Sequence, residues 1–227
     1  MKYQKIILIA LLVLPILILI AVNWLAEPNY LISSIYKIIF ISPVIYRLLF
    51  YKSSLKQSIT ENFSFLLFKK YLKKTILVGI VLSLIYFSAY LIFKNFLDLS
   101  IIVENLNKSA KISAGNILLI GFFIVIFNSL LEEFFWRGFM FKELRSNFNS
   151  FLSHLLSGIG FSLHHMIFYF SWFSIWLFGI VTIGLIFYAI IMNFIFEKTK
   201  DLFSCWLVHA FVDVVQILIA LLVFGLI

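Results

Sequence analysis

Seven apolar runs, each near the length of a membrane crossing, dominate this chain and leave it few ways to fold. They cover about residues 6–26, 30–51, 75–93, 115–144, 150–170, 171–196 and 202–227. Roughly 20 residues of helix cross about 30 Å of hydrocarbon, so the pattern predicts an all-α, polytopic transmembrane helix bundle of about seven spans. A mean hydropathy of +1.11 and 28 phenylalanines in 227 residues exclude an ordinary soluble domain. No Pro-, Gly- or Ser-rich linker and no internal repeat divides the chain, so residues 1–227 read as a single transmembrane domain. The fourth run is long for one crossing, so it must tilt, or its charged second half must pack within the protein. Lys2 and Lys5 precede the first run in the manner of a signal peptide. The run lacks a small-residue cleavage site and reads instead as a retained helix. The lone Cys205 excludes an intramolecular disulfide.

The net charge of +8 is segregated by loop, which argues against nucleic acid as a partner and for a membrane. With the N-terminus cytoplasmic and seven alternating spans, Lys2, Lys5, Arg47, Lys52, Lys56, Lys69, Lys70, Lys73 and Lys74 fall inside. Arg137, Lys142, Arg145, Lys198 and Lys200 fall on the same side. Lys94, Lys108 and Lys111 fall outside, and Lys37 lies within a span. The positive-inside rule therefore places the C-terminus outside. In the polar interval Lys52–Lys74, Ile59, Phe63, Leu66 and Leu67 recur at helical spacing between lysine clusters. That suits an amphipathic helix on an anionic leaflet, or an ordinary cytoplasmic loop. Residues 95–113 form a mixed-charge external loop without a motif.

Against this apolar background stand Glu132, Glu133 and, one turn later, Arg137. Ionisable groups at membrane depth are expensive unless they are paired or line a polar cavity, and they mark function by default. Glu133 and Arg137, at i and i+4, share a helix face and form a structural salt bridge. Glu132 is left as the reactive carboxylate, with Asn128 one turn before it. A polar turn at Arg145–Ser150 joins the fourth and fifth runs. In an antiparallel hairpin, residues equidistant from that turn meet at one depth, and Glu132 and His165 have their midpoint inside it. His209 and Asp213, at i and i+4, share a face of the last run. Three such elements on different helices of one bundle form a site of the kind bundles build from inward-pointing side chains. His154 and His164 read as hydrogen-bonded packing residues.

Glu-Glu-x-x-x-Arg (Glu132, Glu133, Arg137), then Phe-x-x-x-His (Phe161, His165), then His-x-x-x-Asp (His209, Asp213) resembles a known signature. It is that of the CPBP intramembrane proteases, also called the CAAX prenyl protease 2 or Abi family. The resemblance covers about residues 115–227, which it marks as the catalytic core. It implies a helical bundle with a cytosol-accessible cavity that hydrolyses peptide bonds within the membrane. Carried over, Glu132 and His165 activate the attacking water, while His209 and position 213 stabilise the oxyanion. Implied partners are membrane lipids and a membrane-associated peptide or protein substrate. The setting expected for a bacterial member is the plasma membrane, and the cytoplasmic N-terminus follows from the charge asymmetry above.

The implied chemistry suits the residues, because a glutamate in an apolar setting gains from taking up a proton and so serves as a general base. Many members have asparagine where this chain has Asp213, and an ionised carboxylate cannot donate a hydrogen bond. Asp213 must be protonated, orient His209, or bind a metal. No cofactor is favoured. Zinc is the alternative, with Glu132, His165, His209 and Asp213 as its set, although no His-Glu-x-x-His motif is present. Cys205, one turn before His209, mimics a thiol–imidazole pair but reads as packing. A rival from another class is a non-catalytic peptide-binding or bacteriocin-immunity protein. A transporter lacks support from broken helices or repeats.

Overall fold

A computed structural model describes residues 2–25, 39–108 and 111–227, and among these the regular secondary structure is all helical, without strands. Helices α1 (Lys2–Leu25), α2 (Ser42–Phe50) and α3 (Leu55–Thr60) precede a 29-residue helix, α4 (Phe65–Phe93). A short α5 (Leu99–Lys108) leads to the long α6 (Ile117–Asn147), then α7 (Ser150–Tyr169), α8 (Ile175–Thr199) and α9 (Leu202–Val223). The bundle is a membrane protein's: large apolar side chains such as Leu66, Leu119 and Ile175 face outward, as lipid requires.

Among the described residues, four helical stretches have the length and apolarity of a crossing: Leu55–Phe96, Ile117–Asn147, Ile175–Thr199 and Leu202–Val223. Lys5–Ala21 and Ile39–Phe50 are shorter apolar helices. Much of the second expected span, with Lys37, lies outside the described residues. The third begins earlier than its apolar run suggests, because Ser64 caps α4 by accepting from the Leu67 amide, so Lys69–Lys74 ride on the long helix itself. The interval Lys52–Lys74 is therefore not one surface helix. It is a six-residue helix, a turn through Phe63, and the first turns of α4.

That turn docks onto one end of the bundle. Arg47 pairs with Glu61, Lys142 Nζ lies 2.6 Å from Glu61 and donates to Asn62 Oδ1, and Asp201 Oδ1 accepts from the Ser64 amide. The pattern of lysines had no means of indicating this, since each partner lies far away in sequence. Among the cations assigned to cytoplasmic loops, Arg137 proves fully buried and is no loop residue at all.

Within α6, two π-helical segments, Ile124–Asn128 and Trp136–Phe141, flank the α-helical turns that carry Glu132 and Glu133. Widening a turn releases a carbonyl from its ordinary partner, and buried carbonyls need another. The Val125 carbonyl accepts from Ser129 Oγ at 2.6 Å and from the Trp206 indole of α9 at 3.3 Å. The Gly138 carbonyl accepts from Asn62 Nδ2 at 2.9 Å. Both distortions are thus held by side chains, the first through α9 and the second through the α3–α4 turn.

The core has two centres. One gathers Leu8, Leu12 and Leu19 of α1 with Phe40, Phe135, Trp136 and Phe161; the other joins Phe141, Met192, Phe196, Leu202, Cys205 and Val208. Gly160 of α7 lets Trp136 approach: a Cβ there would lie 2.8 Å from Trp136 Cζ3 and 3.1 Å from Leu12 Cγ. Small residues serve this purpose where membrane helices pack closely. Because Trp136 is fully buried and ringed by aromatics, Gly160→Ala should lower stability by about 1–3 kcal/mol. Thermal unfolding of the purified variant in detergent checks this.

Candidate active site

Adjacent residues on an α-helix point about 100° apart, and this explains how Glu132 and Glu133 serve different neighbours. Glu132 faces α7. Its Oε1 accepts from Asn128 Nδ2 at 2.9 Å and lies 3.5 Å from His164 Nε2, while its Oε2 lies 3.4 Å from His165 Nε2. Glu133 faces α9. Its Oε1 receives Arg137 NH1 at 2.9 Å and His209 Nδ1 at 2.7 Å. Both carboxylates are within 2% of complete burial.

The histidines are oriented from behind. His165 Nδ1 lies 2.9 Å from the Phe161 carbonyl. A carbonyl only accepts, so Nδ1 carries the proton and, in the neutral ring, Nε2 turns a lone pair toward Glu132. His209 Nδ1 likewise donates to Glu133, which aims Nε2 at Asp213 Oδ1, 3.7 Å away, and at Glu132 Oε2, 4.0 Å away. Phe161 ties the site together: its carbonyl fixes His165, and its ring lies 4.4 Å from the Arg137 guanidinium carbon and packs against His165, Tyr188 and His209.

The residues of the three motifs, with Asn128, fall in one place. Asn128, Glu132, Glu133, Arg137, Phe161, His165, His209 and Asp213 come from α6, α7 and α9 and converge inside the bundle. The expected facing of Glu132 and His165 across the hairpin is present, as is the Glu133–Arg137 bridge. Two features differ from expectation. Glu133 is shared between Arg137 and His209, so it does more than neutralise an arginine. His164, read as a packing residue, lies against Glu132 with only 1% of its surface exposed. Together with Glu132 and His165 it forms a compact group whose ligand atoms all lie within 4.8 Å of one another. That group differs from the Glu132, His165, His209 and Asp213 set expected for zinc. His154 does pack away from the site, stacked on Phe194 and 3.4 Å from Glu197. Cys205 is fully buried in the second core centre, as a packing residue would be.

Fold and site together define a polytopic helical membrane protein with a buried carboxylate–imidazole centre. Residues 114–215 match the family described as Type II CAAX prenyl endopeptidase Rce1-like. That segment carries all three motifs, and the match is to the same family that the motifs resemble. No curated protein matches the chain.

Proposed function

We propose that the chain is an intramembrane endopeptidase in which Glu132 and His165 activate the water that attacks a peptide bond of a membrane-associated substrate. The observation that carries this reading is the 3.4 Å approach of Glu132 Oε2 to His165 Nε2, with the imidazole tautomer set by the Phe161 carbonyl. A water contacting both atoms loses a proton to Glu132 as its oxygen bonds to the substrate carbonyl carbon. The carbonyl π electrons move onto oxygen, and the resulting anion accepts from His209 Nε2–H. For that nitrogen to donate while Nδ1 donates to Glu133, the ring carries both protons, and the Glu133 carboxylate offsets its charge. Collapse of the tetrahedral adduct breaks the C–N bond, and Glu132 returns its proton to the leaving amine. Asn128 holds the other oxygen of Glu132 so that Oε2 keeps its direction.

Asp213 separates this chemistry from a metal-dependent one. As a donor to the oxyanion it must be protonated, and Asp213→Asn supplies an equivalent NH₂. Activity of Asp213→Asn should persist, whereas Asp213→Ala should lose roughly 10²–10³ in rate. If Asp213 were a metal ligand, the amide would fail nearly as badly as alanine, and added zinc would restore part of the loss. Both variants, assayed in detergent on a cleavable peptide with and without chelator, give the answer.

The asymmetry of lysines and arginines supports a cytoplasmic N-terminus and an external Ile227, with the basic α3–α4 region and its ion pairs on the cytoplasmic side. A C-terminal alkaline-phosphatase fusion should be active in a bacterial host and a C-terminal fluorescent-protein fusion dark. The reverse result breaks the odd number of crossings.

A further inference from the structure

We infer that a cleft of about 250 Å³ at the basic end of the bundle, between the ends of α6 and α8, binds a phosphate monoanion supplied by an anionic lipid headgroup. Phe141 and Phe196 give it an apolar floor, and Lys142, Arg145 and Lys200 bring three cations to its walls. Their donors are not used up within the protein. Lys142 Nζ holds Glu61 at 2.6 Å and Asn62 at 3.0 Å, which leaves one of its three hydrogens. Arg145 spends Nε on Glu197 at 2.6 Å, which leaves both terminal nitrogens. The Lys200 ammonium has no carboxylate within ion-pair distance among the described residues.

Helix ends attract cations by themselves, because their last carbonyls carry partial negative charge. Here such carbonyls are already occupied. That of Lys142 accepts from Ser146 Oγ, that of Glu143 from Asn147 Nδ2, and that of Phe196 from the Lys200 amide. The balance of charge also favours an anion. Arg47, Lys142, Arg145 and Lys200 stand against Glu61, Glu143 and Glu197, and the one cation in excess matches a phosphodiester. Asp201 is taken by the Ser64 and Ser204 amides, and the exposed Lys198 offsets it. A basic pocket between membrane helices at headgroup level suits an anionic lipid. Ile191 and Phe194 of α8 are exposed and offer its acyl chains an apolar surface. Lys142 lies ten residues beyond Glu132 on α6, about 15 Å along the helix, so the site does not rest on the proposed hydrolysis.

Lys200 gives a clean test. It closes α8 in the left-handed conformation, at φ 53°, which glycine adopts without steric cost. Lys200→Gly therefore removes the charge while relaxing the backbone. The purified full chain in neutral detergent is titrated with short-chain phosphatidylglycerol while its thermal unfolding is followed. The midpoint should rise to a plateau, less so at high salt, whereas short-chain phosphatidylcholine at the same concentration should have little effect. Lys200→Gly should unfold no earlier than the parent without lipid, yet need about five times more phosphatidylglycerol for half of the shift. Lys73→Ala, the same loss of charge at an exposed position of α4, should respond as the parent does. Inorganic phosphate at matched ionic strength separates the sources. A shift smaller than the lipid's supports the headgroup, and an equal one overturns the lipid as the source. Equal phosphatidylglycerol dependence in Lys200→Gly and the parent, an equal loss in Lys73→Ala, or no preference of the parent for phosphatidylglycerol over phosphatidylcholine overturns the site itself. If Lys200→Gly fails to fold, Lys200→Asn, which also tolerates that conformation, decides in its place.

Discussion

Glu132→Ala is expected to remove peptide hydrolysis while the protein accumulates at its normal level. The general-base contribution alone is on the order of 10²–10⁴ in rate, and loss of the water's position adds to that. The fold should tolerate the change for a specific reason. Glu132 is not the partner of the buried arginine, since Arg137 NH1 is bound by Glu133 at 2.9 Å. Alanine also keeps the helical turn between the two π segments. His165→Ala should have an effect of similar size, because the Phe161 carbonyl then holds nothing in place beside Glu132. Initial rates on a membrane-anchored peptide, normalised to folded protein, measure both. Wild-type rates in either variant at normal abundance would remove the catalytic reading and favour a peptide-binding one.

The opposite division of effects is expected one residue later. Glu133→Ala leaves a fully buried Arg137 without its carboxylate, and breaking a buried pair from one side typically destabilises by about 3–5 kcal/mol. Marginal stability makes such a loss a large fraction of the total. Glu133→Ala should therefore accumulate poorly and unfold early in detergent. The fraction that folds should also be slow, because His209 loses the acceptor 2.7 Å from Nδ1 and with it the direction of Nε2. Glu133→Gln keeps an acceptor oxygen and should fall between the two. Unfolding of Glu133→Ala indistinguishable from the parent would mean that Arg137 is stabilised by something other than this bridge.

Much of the site was legible in the sequence because helical periodicity and hairpin symmetry are strict rules. The i,i+4 spacings gave the Glu133–Arg137 and His209–Asp213 pairs, and equidistance from the Arg145–Ser150 turn gave Glu132 and His165. The same equidistance applies to His164, whose midpoint with Glu132 also falls in that turn. A lone histidine reads as packing by residue type, whereas its depth along the hairpin is what sets it beside Glu132. Sharing of Glu133 between Arg137 and His209 was not readable, because no spacing rule links α6 to α9. The two π segments were hidden for a related reason. They rest on Trp206 and Asn62 reaching carbonyls some 80 positions away in sequence. The break at Ser64 rests on a local cap, its hydroxyl accepting from the Leu67 amide, which the spacing of the surrounding lysines does not encode.

Cleavage itself is the most direct measurement. The full chain and its Glu132→Ala variant, each purified and reconstituted in liposomes, are incubated with a mixture of membrane-anchored peptides, and the products are sequenced by mass spectrometry. Hydrolysis at Glu132 predicts new peptide termini with the parent chain, retained in the presence of chelator, and none with the variant. Equal products from both proteins, or products from neither across the mixture, would contradict it.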